Sequence, residues 1–277
     1  MSLSTFQIFH PTLSNDKTSL ILNLSHGKAN EMGTECLKAL EHLCDFLETG
    51  AVRSLITTSQ RKSRSGKSIF ISGADVTERN GWSDEEIKKH VRWQRSVLQR
   101  LRRVPVFHIA VVDGIAFGWG TEFLLCCDYR ISTNDSTFAL PETGLGILPG
   151  AGGTSELWME IGPAQALRLG MTGERIKGDE AARIGLTQEN FEVWEMGMVR
   201  AKQLTNLTAQ KSPSAIAAFK SALLASKGLS SEERTQLEVK AYEHCVDSGD
   251  AAIGRANFKK ILKNEPVQWS PLQTSSS

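Results

Sequence analysis

The chain has little that would tie it to a membrane, a metal or a disulfide framework. No run reaches the roughly 18 uninterrupted apolar residues that a spanning helix needs, and Met1–Thr12 carries no basic-then-apolar leader. Cysteine is scarce and odd in number: Cys36, Cys44, Cys126, Cys127 and Cys245 show no C-x-x-C spacing, which argues against a zinc or dithiol site and for a reducing compartment. A cytoplasmic location is expected. The six histidines, at 10, 26, 42, 90, 108 and 244, include no pair three to five residues apart, so no helical H-E-x-x-H metal site exists and no metal is expected. The G-x-S-x-G elbow of a serine hydrolase is absent. Charge of one sign is missing too, because 32 basic residues against 31 acidic ones leave +1, which advertises neither a nucleic acid nor a membrane partner.

What remains is the composition of a soluble globular protein, 277 residues with 40% hydrophobic and 23% charged. That length suits one large domain or a core with an appendage. Thr18–Leu24, Ser54–Thr58, Val106–Val112 and Tyr129–Ser132 read as strands rich in branched apolar residues. Between them, Leu37, Leu40, Cys44 and Leu47 share one helical face, and Ile87, Val91, Gln94, Leu98 and Leu101 share another. That second helix opens on the capping box Ser83/Glu86, ends at Pro105, and turns Arg92, Arg95, Arg102 and Arg103 to what reads as solvent. The basic, Ser-rich stretch Ser59–Ser68 reads as a solvated loop, and Phe117–Cys127 as a short helix. Strands alternating with helices predict a layered α/β fold with a largely parallel sheet. Beyond Met196 the patterns are helical only: Ser214–Ser226, a helix capped by Ser230 and Glu233, and Ala251–Leu262, followed by a polar tail from Ser270 to Ser277 expected to fray. The expected division is therefore 1–196 and 197–277.

Gly144–Gly153 (GLGILPGAGG) lacks the Lys-Ser/Thr of a Walker loop and does not match G-x-G-x-x-G, so its glycines read as a tight turn before a helix near Thr154. Two glutamates stand out because they sit among apolar and glycine residues, where a charge needs a reason. Glu122 lies in GWGTEFLLCC, in the first turn of an otherwise apolar helix, and Glu142 follows Phe138-Ala139-Leu140-Pro141. Taken singly, each has a structural explanation, a satisfied helix N-terminus for Glu122 and a loop cap for Glu142.

Linked motifs go further. Ile71-Ser72-Gly73-Ala74-Asp75, Val112–Glu122 (VDGIAFGWGTE), Cys127-Asp128, Phe138–Gly153 (FALPETGLGILPGAGG) and Leu167–Leu186 resemble, in order and spacing, the crotonase family of enoyl-CoA hydratases and isomerases. The resemblance covers about Leu20 to Lys260. It implies a spiral of ββα units, with a C-terminal helical region that mediates trimer formation, commonly as a dimer of trimers. It implies an acyl-CoA thioester as substrate, with no separate cofactor because coenzyme A is part of that substrate. In the family two backbone N–H groups hold the thioester carbonyl, and these positions correspond to Ala74 and Trp119. Such donors are fixed in direction and stabilise the developing enolate charge without reorganisation. Glu122 and Glu142 align with the family's acid–base pair, Glu122 activating water and Glu142 protonating the α-carbon. Lys28, Ala29, Ser72, Asp75, Val76 and Gly118 correspond to the coenzyme A side of the site, and Phe258-Lys259 to the family's closing Phe-Lys, which can reach coenzyme A across a subunit boundary. Both lysines read equally well as ordinary surface residues.

The sequence departs from the family at one point. Gly118-Trp119-Gly120 stands where three glycines are usual. An indole there either packs outward or walls the acyl pocket, and the backbone N–H serves only if position 119 does not demand a positive φ. Hydration of a 2-enoyl-CoA is the leading reading. An isomerase, decarboxylase, thioester hydrolase or biosynthetic dehydratase would share the scaffold. A non-catalytic acyl-CoA-binding or RNA-binding oligomer would rest on the basic loop and the arginine face alone.

Overall fold

The structure, a computed structural model, describes residues 2–272. A 3₁₀ segment (Leu3–Phe9) leads into β1 (Pro11–Leu13), β2 (Ser19–Asn23) and α1 (Thr34–Glu48). The chain then lays down β3 (Ser54–Thr58), β4 (Arg61–Lys62) and β5 (Ser68–Ile71) before α2 (Asp84–Arg103). The next pass gives β6 (Phe107–Val112), β7 (Ile115–Phe117) and α3 (Trp119–Leu124). The one after gives β8 (Tyr129–Thr133), β9 (Thr137–Ala139), a 3₁₀ turn (Pro141–Leu145), α4 (Leu157–Ile161) and α5 (Pro163–Thr172). β10 (Ile176–Lys177), α6 (Gly178–Ile184) and β11 (Glu189–Phe191) complete the sheets.

One sheet runs β1-β2-β3-β6-β8-β11 and the other β10-β9-β7-β5-β4. Successive passes add β3, β6 and β8 side by side to the first sheet, and β5, β7 and β9 side by side to the second, all parallel. The chain therefore winds as the expected spiral of ββα units. Among the described residues, antiparallel pairs occur only among outer strands of these sheets, β1 on β2, β4 on β5 and β10 on β9. β3 (SLITT) is buried at every position, as a strand of a sheet covered on both faces must be.

α2 opens on the reciprocal capping box of Ser83 and Glu86 and carries Arg100, Arg102 and Arg103 in its last turn, against the negative end of the helix dipole. It stops at Val104, before Pro105. Three short stretches differ from expectation. Ser59–Ser68 is not a plain loop, because Arg61 and Lys62 pair with Ile69 and Ser68 in a hairpin. Phe117 ends a strand, and the expected helix is the six-residue α3. The helix expected near Thr154 begins at Leu157.

Past β11 the chain is helical. α7 (Trp194–Ala209) packs Met198 and Ala201 on Ile56, Ile109, Val111 and Ile131 of the first sheet. A Cβ on Gly197 would meet Val111 Cγ1 at 3.1 Å and Ile131 Cγ2 at 3.2 Å, so helix and sheet touch closely there. Position 196 falls inside this helix. α8 (Pro213–Ala225) is tied down by Lys220, whose Nζ donates to Asp128 Oδ2 at 2.7 Å and to the Val106 carbonyl at 2.9 Å. α9 (Ser231–Asp247) carries the capping box of Ser230 and Glu233. The last expected helix is broken at Asn257 into α10 (Asp250–Ala256) and α11 (Phe258–Leu262). Ser270 is held rather than frayed, its N–H donating to Asp250 Oδ1 at 3.2 Å, and 273–277 of the expected tail lie outside the described residues. Among the described residues no helix is long and apolar enough to cross a membrane.

Candidate active site

The site forms where β5, β7 and β9 end and α3 begins. Gly118 takes φ +52°, and a Cβ there would stand 2.7 Å from Glu142 Oε1, so both conformation and space call for glycine. Its N–H donates to the Ala139 carbonyl at 2.9 Å, joining β7 to β9 at the point where α3 departs. Trp119 is the first residue of α3, a position whose N–H has no partner within the helix. It is not among the residues of positive φ, so an indole is conformationally acceptable there. Gly120 likewise has no substitute, because a Cβ there would lie 2.3 Å from the Ile71 carbonyl oxygen of β5.

Ala74 makes an isolated parallel bridge with Met32. In it Met32 N–H donates to the Gly73 carbonyl and Asp75 N–H to the Met32 carbonyl, both at 2.9 Å. Alternate residues of an extended segment face opposite ways, so the Ala74 N–H is turned from Met32. Both Ala74 and Trp119 line a cavity of about 750 Å³.

Two carboxyl groups face the same cavity. Glu122 is 2% exposed, and its Oε1 accepts from Ala151 N–H at 2.7 Å and Gly153 N–H at 2.9 Å. Burial pushes its carboxyl up to about 7; the two N–H donors and the Arg95 charge oppose that rise, and Glu142 adds to it. Glu142, half-buried in the 3₁₀ turn Pro141–Leu145, is also raised by burial, and its Oε2 has no hydrogen-bond partner. A buried oxygen without a donor is held more cheaply as a neutral acid than as an anion, whereas the N–H pair on Glu122 favours its ionised form.

Ser72, Ala74, Val76, Gly118, Trp119, Glu122 and Glu142 all line this cavity; Lys28, Ala29, Asp75, Phe258 and Lys259 do not. Ala29 lies next to it, its carbonyl accepting from Ser72 N–H at 3.2 Å, while the Lys28 N–H is turned to Glu31 Oε2 at 3.1 Å. Asp75 is a turn-capping residue: its Oδ1 accepts from Thr77 N–H at 3.0 Å, Thr77 Oγ1 at 2.6 Å and Glu78 N–H at 3.3 Å. Phe258 and Lys259 sit on α11, with Phe258 58% exposed. The Trp119 indole does not pack outward. It is 2% exposed within the main core, and its Nε1 has no partner.

Sequence reasoning missed the opposite wall. Ile87, Val91 and Gln94 of α2 border the cavity together with Arg92 and Arg95, which are solvent-exposed as expected, and so do Leu145, Ile147 and Leu148. A cavity-facing helix stripe has the same three-and-four spacing as a core-facing one, so periodicity cannot separate them. The exposed apolar residues of GLGILPG were the available signal. Among the described residues no group of three His, Cys, Asp or Glu side chains could hold a metal ion.

Known proteins resemble this chain in sequence and in fold. The short-chain-enoyl-CoA hydratase of Clostridium acetobutylicum is 32% identical over 249 residues, 88% of this chain and 92% of that protein. The mitochondrial methylglutaconyl-CoA hydratase of Rattus norvegicus is 31% identical over 243 residues, 86% of this chain and 75% of that one. A crystal structure of an enoyl-CoA hydratase from Bacillus anthracis superposes with a TM-score of 0.84 at 28% identity, covering 95% of this chain and 99% of that one. The family profile for enoyl-CoA hydratase/isomerase matches residues 28–268, and the chain belongs to that family.

Proposed function

We propose that the protein adds water reversibly across the 2,3-double bond of a 2-enoyl-CoA to give a 3-hydroxyacyl-CoA. The supporting observation is the convergence of two raised carboxyl groups, Glu122 and Glu142, on the cavity lined by Ala74 and Trp119. In this reading the thioester oxygen accepts from the Ala74 and Trp119 N–H groups, which stabilise the enolate-like charge as it forms. Ionised Glu122, its Oε1 fixed by Ala151 and Gly153, takes one proton from water as the oxygen attacks C3. Protonated Glu142 gives its proton to C2. Water supplies both the hydroxyl and, by way of the carboxyl pair, a proton, so one water is consumed and the pair is reset by proton exchange.

Ser72, Val76 and the neighbouring Lys28–Ala29 turn form the side on which coenzyme A would enter. The exposed apolar faces of α8 and α9, with Phe219 at 72% and Tyr242 at 72%, suit a trimer or a dimer of trimers. Phe258 and Lys259 would then close a neighbouring subunit's site, and α8–α11 would form the oligomerising region. The test is incubation of the purified protein with crotonyl-CoA and with longer, branched and 3-enoyl thioesters, followed by mass analysis. Gain of one water on the 2-enoyl esters supports the proposal; isomerised, decarboxylated or hydrolysed products without hydration overturn it.

A further inference from the structure

Glu122 does not hold its place alone. Its Oε1 accepts from Ala151 N–H at 2.7 Å, and the carbonyl of the same peptide group, that of Gly150, accepts from Arg95 Nε at 3.1 Å. The peptide is a rigid plane, so a donor at its oxygen and an acceptor at its N–H fix it from both ends. Gly150 also sits against α2 so closely that a Cβ would meet Val91 Cγ1 at 3.1 Å. A cation bonded to a carbonyl oxygen draws electron density from the attached nitrogen and strengthens its N–H as a donor.

We propose that Arg95 is a positioning residue for Glu122, fixing and polarising through the Gly150–Ala151 peptide the N–H that holds the carboxylate. Arg95 touches neither Glu122 by a hydrogen bond nor, in this reading, the reacting atoms; it acts through one peptide group. The other charged groups around the cavity are few. α2 adds Lys88, paired with Glu85 at 2.7 Å, and Arg92; the segment after β5 adds Arg79; and the turn after β9 adds Glu142. Cys126, just past α3, stays neutral because burial pushes its thiol up to about 12. Arg95 lowers the pKa of Glu122 and Glu142 raises it, so loss of the guanidinium leaves the carboxyl harder to ionise.

The inference rests on the reading of Glu122 as the base, but its main readout does not require turnover. Carboxyl-¹³C-glutamate protein is titrated by NMR, the Glu122 signal being identified by its absence in Glu122→Gln. Arg95→Met is expected to move the Glu122 midpoint upward by about half a pH unit or more. It should also lower kcat at neutral pH by roughly tenfold or more with KM changed less than about twofold, part of the loss returning at higher pH. Arg95→Lys, which restores the charge, should bring the midpoint and most of the turnover back. An unmoved midpoint in folded Arg95→Met overturns the proposal, and so does a kcat loss equal at every pH. Should Arg95→Met fail to fold, Arg95→Gln is subjected to the same titration and judged by the same shift. If the wild-type protein hydrates no thioester, the proposed reaction falls while the titration still decides the role of Arg95.

Discussion

Gly118 and Glu142 share a space that admits no further atom: a Cβ on Gly118 would lie 2.7 Å from Glu142 Oε1. Gly118 also stands at φ +52° and ψ −119°, a conformation that side chains avoid. Gly118→Ala should therefore displace the Glu142 carboxyl and strain the start of α3. We expect a loss of about 1–3 kcal/mol in unfolding free energy. Turnover should fall as well, by roughly 100-fold, since a small displacement of a group proposed to react is that costly. Denaturant unfolding and steady-state kinetics on one preparation check both, and a variant with wild-type kcat would show that the carboxyl is free to move.

Glu122→Gln and Glu142→Gln should each lower kcat by about 10²–10⁴ while leaving the affinity for a coenzyme A ester within several-fold. Calorimetric binding of an unreactive thioester separates the two effects. Near-full activity in either variant would remove that residue from the mechanism. A dead Glu122 variant beside an active Glu142 variant would indicate a one-carboxyl reaction.

The pH dependence has a definite sign. A base must be ionised, and burial places the Glu122 carboxyl at about 7, so kcat/KM should rise as pH increases through that region. Loss of the Glu142 proton would produce the opposing limb. A profile that falls through pH 7 would exchange the two roles, and a flat one between pH 5.5 and 8.5 would remove Glu122 as the base.

How much of this was readable beforehand follows from what leaves a mark on a side-chain pattern. β3 and β6 are buried throughout or nearly so and show branched apolar runs, and the capping boxes at Ser83 and Ser230 fix two helix starts to the residue. β7 and β9 are three residues long, too short for any period, and exist because they pair with each other, β7 also with β5 and β9 also with β10. Glu122 and Glu142 were conspicuous as charges among apolar and glycine residues. Their environment was not. The donors to Glu122 are backbone N–H groups of Ala151 and Gly153, which no side chain announces, and the brace on Gly150 comes from an arginine 55 positions away.

Lys220 links α8 to the starts of β6 and β8, with its side chain 10% exposed and that of Asp128 20% exposed. Lys220→Met would leave Asp128 with the His108 N–H, at 2.8 Å, as its remaining donor. The expected cost is about 2–4 kcal/mol, discounted from a fully buried pair for the exposure of Asp128. Burial already raises the Asp128 carboxyl and Lys220 lowers it, so the variant's folded-state pKa rises further above its unfolded value. That raised group favours the fold most below its unfolded pKa, and the benefit is lost as pH increases through the folded one. The deficit should thus be larger at pH 7 than at pH 4, and Lys220→Met/Asp128→Asn should recover much of it. Equal deficits at both pH values would show that packing, not the unpaired charge, sets the cost.

Trp119 allows a test of what the acyl group can be. Its indole is 2% exposed in the main core while the residue borders the cavity, so it stands as a partition between the two. Removing it opens volume on the cavity side, and the buried Nε1 that lacks a partner goes with it. Trp119→Gly should cost about 3–5 kcal/mol of stability through the cavity it leaves, in line with large-to-small changes in packed cores. It should also shift relative kcat/KM among straight-chain 2-enoyl-CoA esters toward longer acyl groups, because the proposed site of the reacting carbonyl lies beside this position. Loss of the helix-starting side chain would loosen the N–H and lower all rates together, whereas added space changes their ratios. Trp119→Leu separates these effects, since it keeps a side chain at the helix start and opens only part of the volume. A chain-length profile unchanged in both variants would mean that the indole serves packing alone, and Ile87, Leu145 and Leu148 would then set the length of the acyl group.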